Sequence, residues 1–280
     1  MSDTIDIRTM TAAEVETAVD WAAAEGWNPG LDDARCFRAE DPEGFLMAFL
    51  NGEPAASISV VNYGAAFGFL GFYICRPDLR GRGIGYRLWQ AGMERHGNRV
   101  VGLDGVVDQQ ANYRKSGFEL AHRNIRHSGR PAVEAPDDPR LVPIDRASMD
   151  AVIAYDRPFF PAPRERFLRA WLDAPTHAGW ALIEDGRPTG YGVVRRCRDG
   201  AKIGPLFADD AERADLLFRR LAATMPGDVA LDTPEPNADA VALARRHGLV
   251  PGFETARMYR GPAPDLPIPR TFGITSFELG

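Results

Sequence analysis

The stretch Arg80-Gly81-Arg82-Gly83-Ile84-Gly85 lies between an apolar run, Phe67 to Cys75, and an amphipathic run, Tyr86 to His96. Glycines at alternate positions permit backbone conformations that a Cβ forbids, so successive N–H groups can point into one concavity just where a helix begins. The helix N-terminus adds partial positive charge, and Arg80 and Arg82 add full charges. This pattern predicts a cradle for an anion with more than one phosphate. A plain arginine-glycine surface turn is the competing reading of the loop by itself. The dinucleotide fingerprint needs G-x-G-x-x-G after a first strand, and the Walker loop needs a Gly-Lys-Ser/Thr ending; the chain has neither here.

The flanks narrow the choice. The loop reads R-x-x-G-x-G and follows Tyr73-Ile74-Cys75-Arg76-Pro77, a strand end and a proline. Downstream stands Asn112-Tyr113-Arg114-Lys115-Ser116-Gly117-Phe118, a Tyr-x-x-x-Gly-Phe helix end. These two motifs, in this order, resemble those of the GNAT superfamily of acyl-CoA-dependent N-acyltransferases. The resemblance implies acetyl-CoA as the cofactor, its thioester along Tyr73, Ile74 and Cys75, and its pyrophosphate at Arg80, Gly81, Arg82, Gly83, Ile84 and Gly85. It also brings Asn112 and Tyr113 to the cofactor, with Tyr113 as the acid that protonates the leaving thiolate. A buried aromatic on a short amphipathic helix is the other reading of Tyr113.

Composition bounds the partners. Of 280 residues, 39 are acidic and 33 basic, and a net charge of -6 argues against nonspecific nucleic-acid binding. No run approaches the ~18 apolar residues that cross a bilayer. With Asp3 and Asp6 at the start in place of a basic leader, the expectation is a cytoplasmic protein without membrane attachment. Cys36, Cys75 and Cys197 show no paired spacing, and the five histidines show no ligand spacing, so neither a disulfide framework nor a metal is expected.

In chain order, the periodicities predict a strand at Thr4 to Arg8 and a helix with a Thr11/Glu14 capping box and a stop at Gly26. A second short helix follows the turn Trp27-Asn28-Pro29-Gly30. Three strands, at Phe45 to Leu50, Ala55 to Asn62 and Phe67 to Cys75, lead to the loop and its helix. A strand, a helix over Asp108 to Ser116 and a last strand, Phe118 to Arg126, complete an order that matches the GNAT fold. Ser128 to Arg140, rich in proline and charge, reads as a linker. The pattern then restarts, and Arg245-Arg246-His247-Gly248-Leu249 parallels Arg114 to Phe118. The expected fold is α/β (α+β): two tandem GNAT-like domains, each a mixed, mostly antiparallel sheet flanked by helices, over residues 1–128 and 141–280 with a linker at 129–140. In the second copy Gly204 to Asp210 takes the place of the loop with two carboxylates and no arginine, so that copy is expected to lack the cofactor. The ending, Arg270 to Leu279, resembles that of a tandem GNAT subgroup.

Acyl transfer to an amine needs a neutral nitrogen, donors for the developing oxyanion, and a proton for the departing thiolate. The strand before the loop holds no carboxylate to serve as base. Asp104, Asp108, Tyr155 and Asp156 are candidates, each reads equally as a cap or a solvated loop residue, and water is the alternative base. Trp27 is either a lid over the acceptor or packing between helices, and Asn28 either a substrate contact or turn chemistry. The expected function is transfer of an acetyl group from acetyl-CoA to a primary amine of a small molecule, by direct transfer in a ternary complex. A non-catalytic acyl-CoA sensor on the same fold is the alternative. Monomer and homodimer both remain open.

Overall fold

The computed structural model describes residues 3–280. The first half runs β1 (Ile5–Thr9), α1 (Ala12–Ala24), α2 (Asp33–Arg38), β2 (Phe45–Leu50), β3 (Glu53–Tyr63), β4 (Phe67–Cys75), α3 (Ile84–His96), β5 (Val100–Val106), α4 (Gln110–Lys115) and β6 (Phe118–Gly129). The second repeats that order: β7 (Leu141–Pro143), α5 (Met149–Asp156), α6 (Glu165–Leu172), β8 (His177–Glu184), β9 (Arg187–Arg196), β10 (Ala201–Ala208), α7 (Ala211–Thr224), β11 (Val229–Pro234), α8 (Ala238–Arg246) and β12 (Val250–Arg260), followed by a short β13 (Thr271–Gly273). The capping box is present: Thr11 Oγ1 accepts from Glu14 N–H, and the Glu14 carboxylate accepts from Thr11 N–H at 2.7 Å. Gly26, with φ +81°, ends the turn after α1. α3 buries Ile84, Leu88 and Trp89 on the stripe its periodicity predicts.

The strands form one continuous sheet in the order β1-β2-β3-β4-β5-β12-β6-β11-β10-β9-β8-β7. The halves exchange their last strands. β12 of the second half inserts between β5 and β6, pairing Arg257 with Asp104 on one side and Met258 with Leu120 on the other. β6 in turn pairs with β11, Val229 opposite Gly129. β12 accompanies β6 to Ser128 and β11 to Gly129, so the proline-rich connection starts at Arg130, later than its composition predicts. One apolar core also spans the halves: Phe37 of α2 stacks on Trp171 of α6 at 5.8 Å, and Tyr63 meets Phe160 edge-on at 4.6 Å.

Candidate active site

β4 and β5 are parallel partners only from Phe67/Val100 to Leu70/Leu103, and beyond that point they diverge. On its other edge β4 carries a bulge: the register passes from Ser59↔Gly71 to Ser57↔Ile74, so two residues of β4 face one of β3. Phe72, at φ +46°, takes the strained position, and Ser57 Oγ donates to its carbonyl at 2.9 Å. Burial of the Phe72 ring against Phe37 and Phe45 holds it there. The splay therefore leaves the β5-facing edge of Gly71 to Cys75 without a strand partner.

Two spaces meet at the splay. A groove of about 510 Å³ runs along Tyr73, Ile74 and Cys75 and is bordered by Arg80, Gly81, Gly83, Ile84 and Gly85. Gly81 and Gly83 have φ of +77° and +78°, and a Cβ on either would meet nothing within 4 Å. Together with the first-turn amides of α3, which have no intrahelical acceptors, they make an open nest that fits a pyrophosphate. Arg80 is oriented by Glu25, at 2.5 Å, and by the Cys75 carbonyl, at 3.0 Å. Arg82 pairs with Asp3 at the surface and does not line the groove.

The second space is a cavity between Gly71–Tyr73 and Leu103, Asp104 and Tyr113, with Thr255 and Phe253 of β12, and Phe277 and Glu278 of the tail, as its far wall. Trp27, Tyr73, Val106 and Gln109 border both spaces. Tyr113 stacks on Trp89 at 5.5 Å, and among the described residues its hydroxyl has no acceptor. Burial, with Tyr73 adding to it, raises its pKa well above the usual phenol value. Burial likewise pushes Tyr73 up to about 12 and raises the Cys75 thiol. Both phenols therefore keep their protons at neutral pH. Gly105 gives the Tyr113 ring its room, since a Cβ there would lie 2.7 Å from two ring carbons.

Not every predicted residue arrives at these spaces. Asn28 bonds the backbone of Asp199 in both directions, at 2.7 and 3.0 Å, and so fastens its loop to the second half. Tyr155 sits in the second half, donating to Asp209 at 2.8 Å and to the Thr189 carbonyl. Asp156 is buried against Arg164, and Asn112 turns to Gln109 at 2.9 Å on an exposed face. Asp108 borders the groove. Asp104 lines the cavity but is held by Arg257 and Asn124, each at 2.7 Å. The residues that the sequence reading missed are Gln109, the neighbour of the predicted Asp108, and, from far along the chain, the aromatic pair Phe253 and Phe277, and Glu278. The similarity of the Arg270–Leu279 ending to other tandem proteins was the one available signal for the last two.

The acetyltransferase (GNAT) family model matches residues 11–118, and an acetyltransferase (GNAT) domain model matches residues 152–273. The holothin acyltransferase of Pseudoalteromonas sp. (strain SANK 73390) is 34% identical over 265 residues, covering 93% of this chain and 90% of that protein. The chain is a tandem GNAT acyltransferase. Solved structures agree on the fold of this GNAT enzyme. A Pyrococcus horikoshii protein classed as an acetyltransferase superposes with a TM-score of 0.83 at 22% identity, over 99% of this chain and 96% of its own. A tandem GNAT protein from the clavulanic acid biosynthesis pathway gives 0.62 at 17% identity, over 93% and 100%.

The second GNAT copy has the same splay but fills it. β10 and β11 pair from Ala201/Val229 to Ile203/Leu231, and β13 then enters the wedge, with Leu206 opposite Gly273 and Phe207 opposite Thr271. Asn237, the N-cap of α8, secures this plug by donating to the carbonyls of Ile268, Pro269 and Thr271. Where the first copy has an open groove, the second has its own chain.

Proposed function

We propose that this enzyme is an N-acetyltransferase that moves the acetyl group of acetyl-CoA to a primary amine of a small molecule, by direct transfer in a ternary complex. The observation that carries the reading is the junction at Gly71–Cys75, where the phosphate-type groove and the aromatic-walled cavity open onto the same unpaired strand edge. Arg80, Gly81, Gly83, Ile84 and Gly85 would hold the pyrophosphate, with Arg82 adding charge at the rim. The amides of Tyr73 to Cys75 would face the thioester carbonyl and stabilise charge that develops on its oxygen. A bound thioester supplies an acyl carbon with a good leaving group. Tyr113 gives its proton to that sulfur.

The cofactor belongs to the first half, because β13 takes the corresponding place in the second. Trp27, Phe253 and Phe277 around the cavity favour a flat acceptor, and the relative from Pseudoalteromonas acts, by its name, on holothin. No helix among the described residues is long and apolar enough to cross a membrane, and the net charge of -6 disfavours a nucleic-acid acceptor. The deciding experiment is a panel of amines, holothin and aryl amines beside amino sugars, polyamines and amino acids, scored for thiol release from acetyl-CoA. Release that depends on one amine class, with the acetylated amine recovered, is expected. Release from a longer acyl-CoA but not from acetyl-CoA would overturn the donor assignment.

A further inference from the structure

An amine that arrives as an ammonium ion must lose a proton before its nitrogen can attack, and β4 offers no carboxylate for the purpose. Two carboxylates line the cavity, Asp104 and Glu278. Asp104 is committed elsewhere: Arg257 binds both its oxygens, at 3.1 and 2.7 Å, and Asn124 and Thr255 also donate to it. Glu278 is free. It lies on residues 274–280, which follow β13 and run buried between the two halves. The tail is fixed there by Tyr63 donating to the Leu279 carbonyl at 3.2 Å and by Ile274 N–H bonding to Asp232 O at 2.9 Å.

Its backbone presses on the bulged strand: a Cβ on Gly71 would meet Glu278 O at 2.3 Å and Glu278 Cα at 3.0 Å. Glu278 thus stands against the residue before the strained Phe72, where β4 leaves β5. Among the described residues no hydrogen bond or ion pair holds its carboxylate, although the residue is only 5% exposed. We propose, building on the acetyl-transfer reading above, that Glu278 is the general base of the first-half site, delivered to it by the tail of the second half. The carboxylate takes the ammonium proton and passes it to cavity water, the neutral nitrogen attacks, and the carboxylate then takes a second proton from that nitrogen as the N–C bond forms. The C–S bond breaks with Tyr113 protonating the sulfur, and proton exchange with cavity water resets both residues. Amine and thioester become amide and thiol, with protons balanced.

The surroundings suit that task. Arg126, Arg195, Lys202 and Asp33 are the charges that act on the carboxylate, and Asp104, Tyr73 and Tyr113 share its cavity. The cations are largely engaged with other groups: Arg126 with Asp232 at 2.7 Å, Arg195 with Asp33 at 3.2 Å, and Lys202 with the Trp27 carbonyl at 2.8 Å. Burial raises the Glu278 pKa above the usual carboxylate value, with Lys202 the first of the charges that oppose it, and this moves the group towards the range where a base is most effective.

The test uses the full chain with the best amine of the panel, comparing wild type, Glu278→Gln and Glu278→Asp. Calorimetry of acetyl-CoA, and of the amine added to the CoA-bound protein, gives two affinities independent of turnover. Glu278→Gln should leave both affinities and the melting temperature near wild type, lower kcat by about 10²- to 10⁴-fold, and remove the acid limb of the kcat/KM profile. Glu278→Asp should recover part of the rate together with that limb. Unchanged kcat in Glu278→Gln overturns the assignment, and so does a loss confined to amine affinity, which would make Glu278 an ammonium anchor. Failure of the wild type with every amine would instead sink the acetyl-transfer reading and this role with it.

Discussion

At the residue scale, a phenol serves as an acid only if it keeps its proton until the leaving group needs it. Burial ensures this for Tyr113, and the absence of a protein acceptor leaves its hydroxyl free to donate. Tyr113→Phe removes the hydroxyl and keeps the ring on Trp89. We expect kcat to fall about 10²- to 10⁴-fold, or roughly 3 to 5 kcal/mol, with acetyl-CoA affinity and melting temperature nearly unchanged. Stopped-flow thiol release on a chemistry-limited amine decides it, and an unaltered rate would reduce Tyr113 to packing. Gly105→Ala probes the same ring from behind. Its Cβ would come within 2.7 Å of the Tyr113 ring, so the ring must move and the rate should drop with the hydroxyl still present. Overpacking of this kind typically costs about 1 to 3 kcal/mol of stability, which a denaturant melt would register. Tyr113 was legible in the sequence because it sits in a spaced motif. Gly105 was not, because nothing local marks a glycine whose use is to leave room for a side chain eight residues on.

At the element scale, hydrophobic period and caps declare the type and order of elements, and they did so for the first copy here. They do not declare partners. The bulge at Phe72 depends on burial of its ring among residues from α2 and β2, and the plugging of the second splay depends on a three-residue strand with no periodicity to read. The lost loop of the second copy was visible in Asp209 and Asp210. What takes its place was not. From the contrast between the open nest and the filled wedge, we expect calorimetry to give one acetyl-CoA per chain. The double substitution Arg82→Glu with Gly83→Asp puts a carboxylate and a Cβ at φ +78° into the nest and replaces the rim cation by a second carboxylate. It should abolish binding while the protein remains folded. A stoichiometry near two, or retained affinity in the double variant, would contradict the one-site reading.

At the scale of the whole molecule, the halves are bound by their sheet, their core and their tail. Acid should loosen this body early. Burial lowers the pKa of His96 to about 3 and of His122 and His177 to about 4, so these rings are neutral when folded and take up protons when unfolded. Below the unfolded histidine value of about 6.5 the unfolded chain binds more protons, so stability should fall as pH drops from there towards 4. Melting temperatures across that range check the sign. The strand exchange gives the stronger prediction. A fragment ending at Arg130 keeps every element of a GNAT domain by sequence order, yet it lacks β12, which lies between β5 and β6 and pairs with both. It also loses β11 from the far edge of β6, the aromatic partners of Phe37 and Tyr63, and Glu278 from the cavity. Two strands would then meet water with unpaired backbone, a standing invitation to aggregate. We expect residues 1–130 to be aggregated on size-exclusion chromatography and inactive. Co-expression with residues 131–280 should restore a soluble one-to-one pair that turns over the same amine. A monodisperse fragment with full activity would show that the exchanged strand and its tail are dispensable.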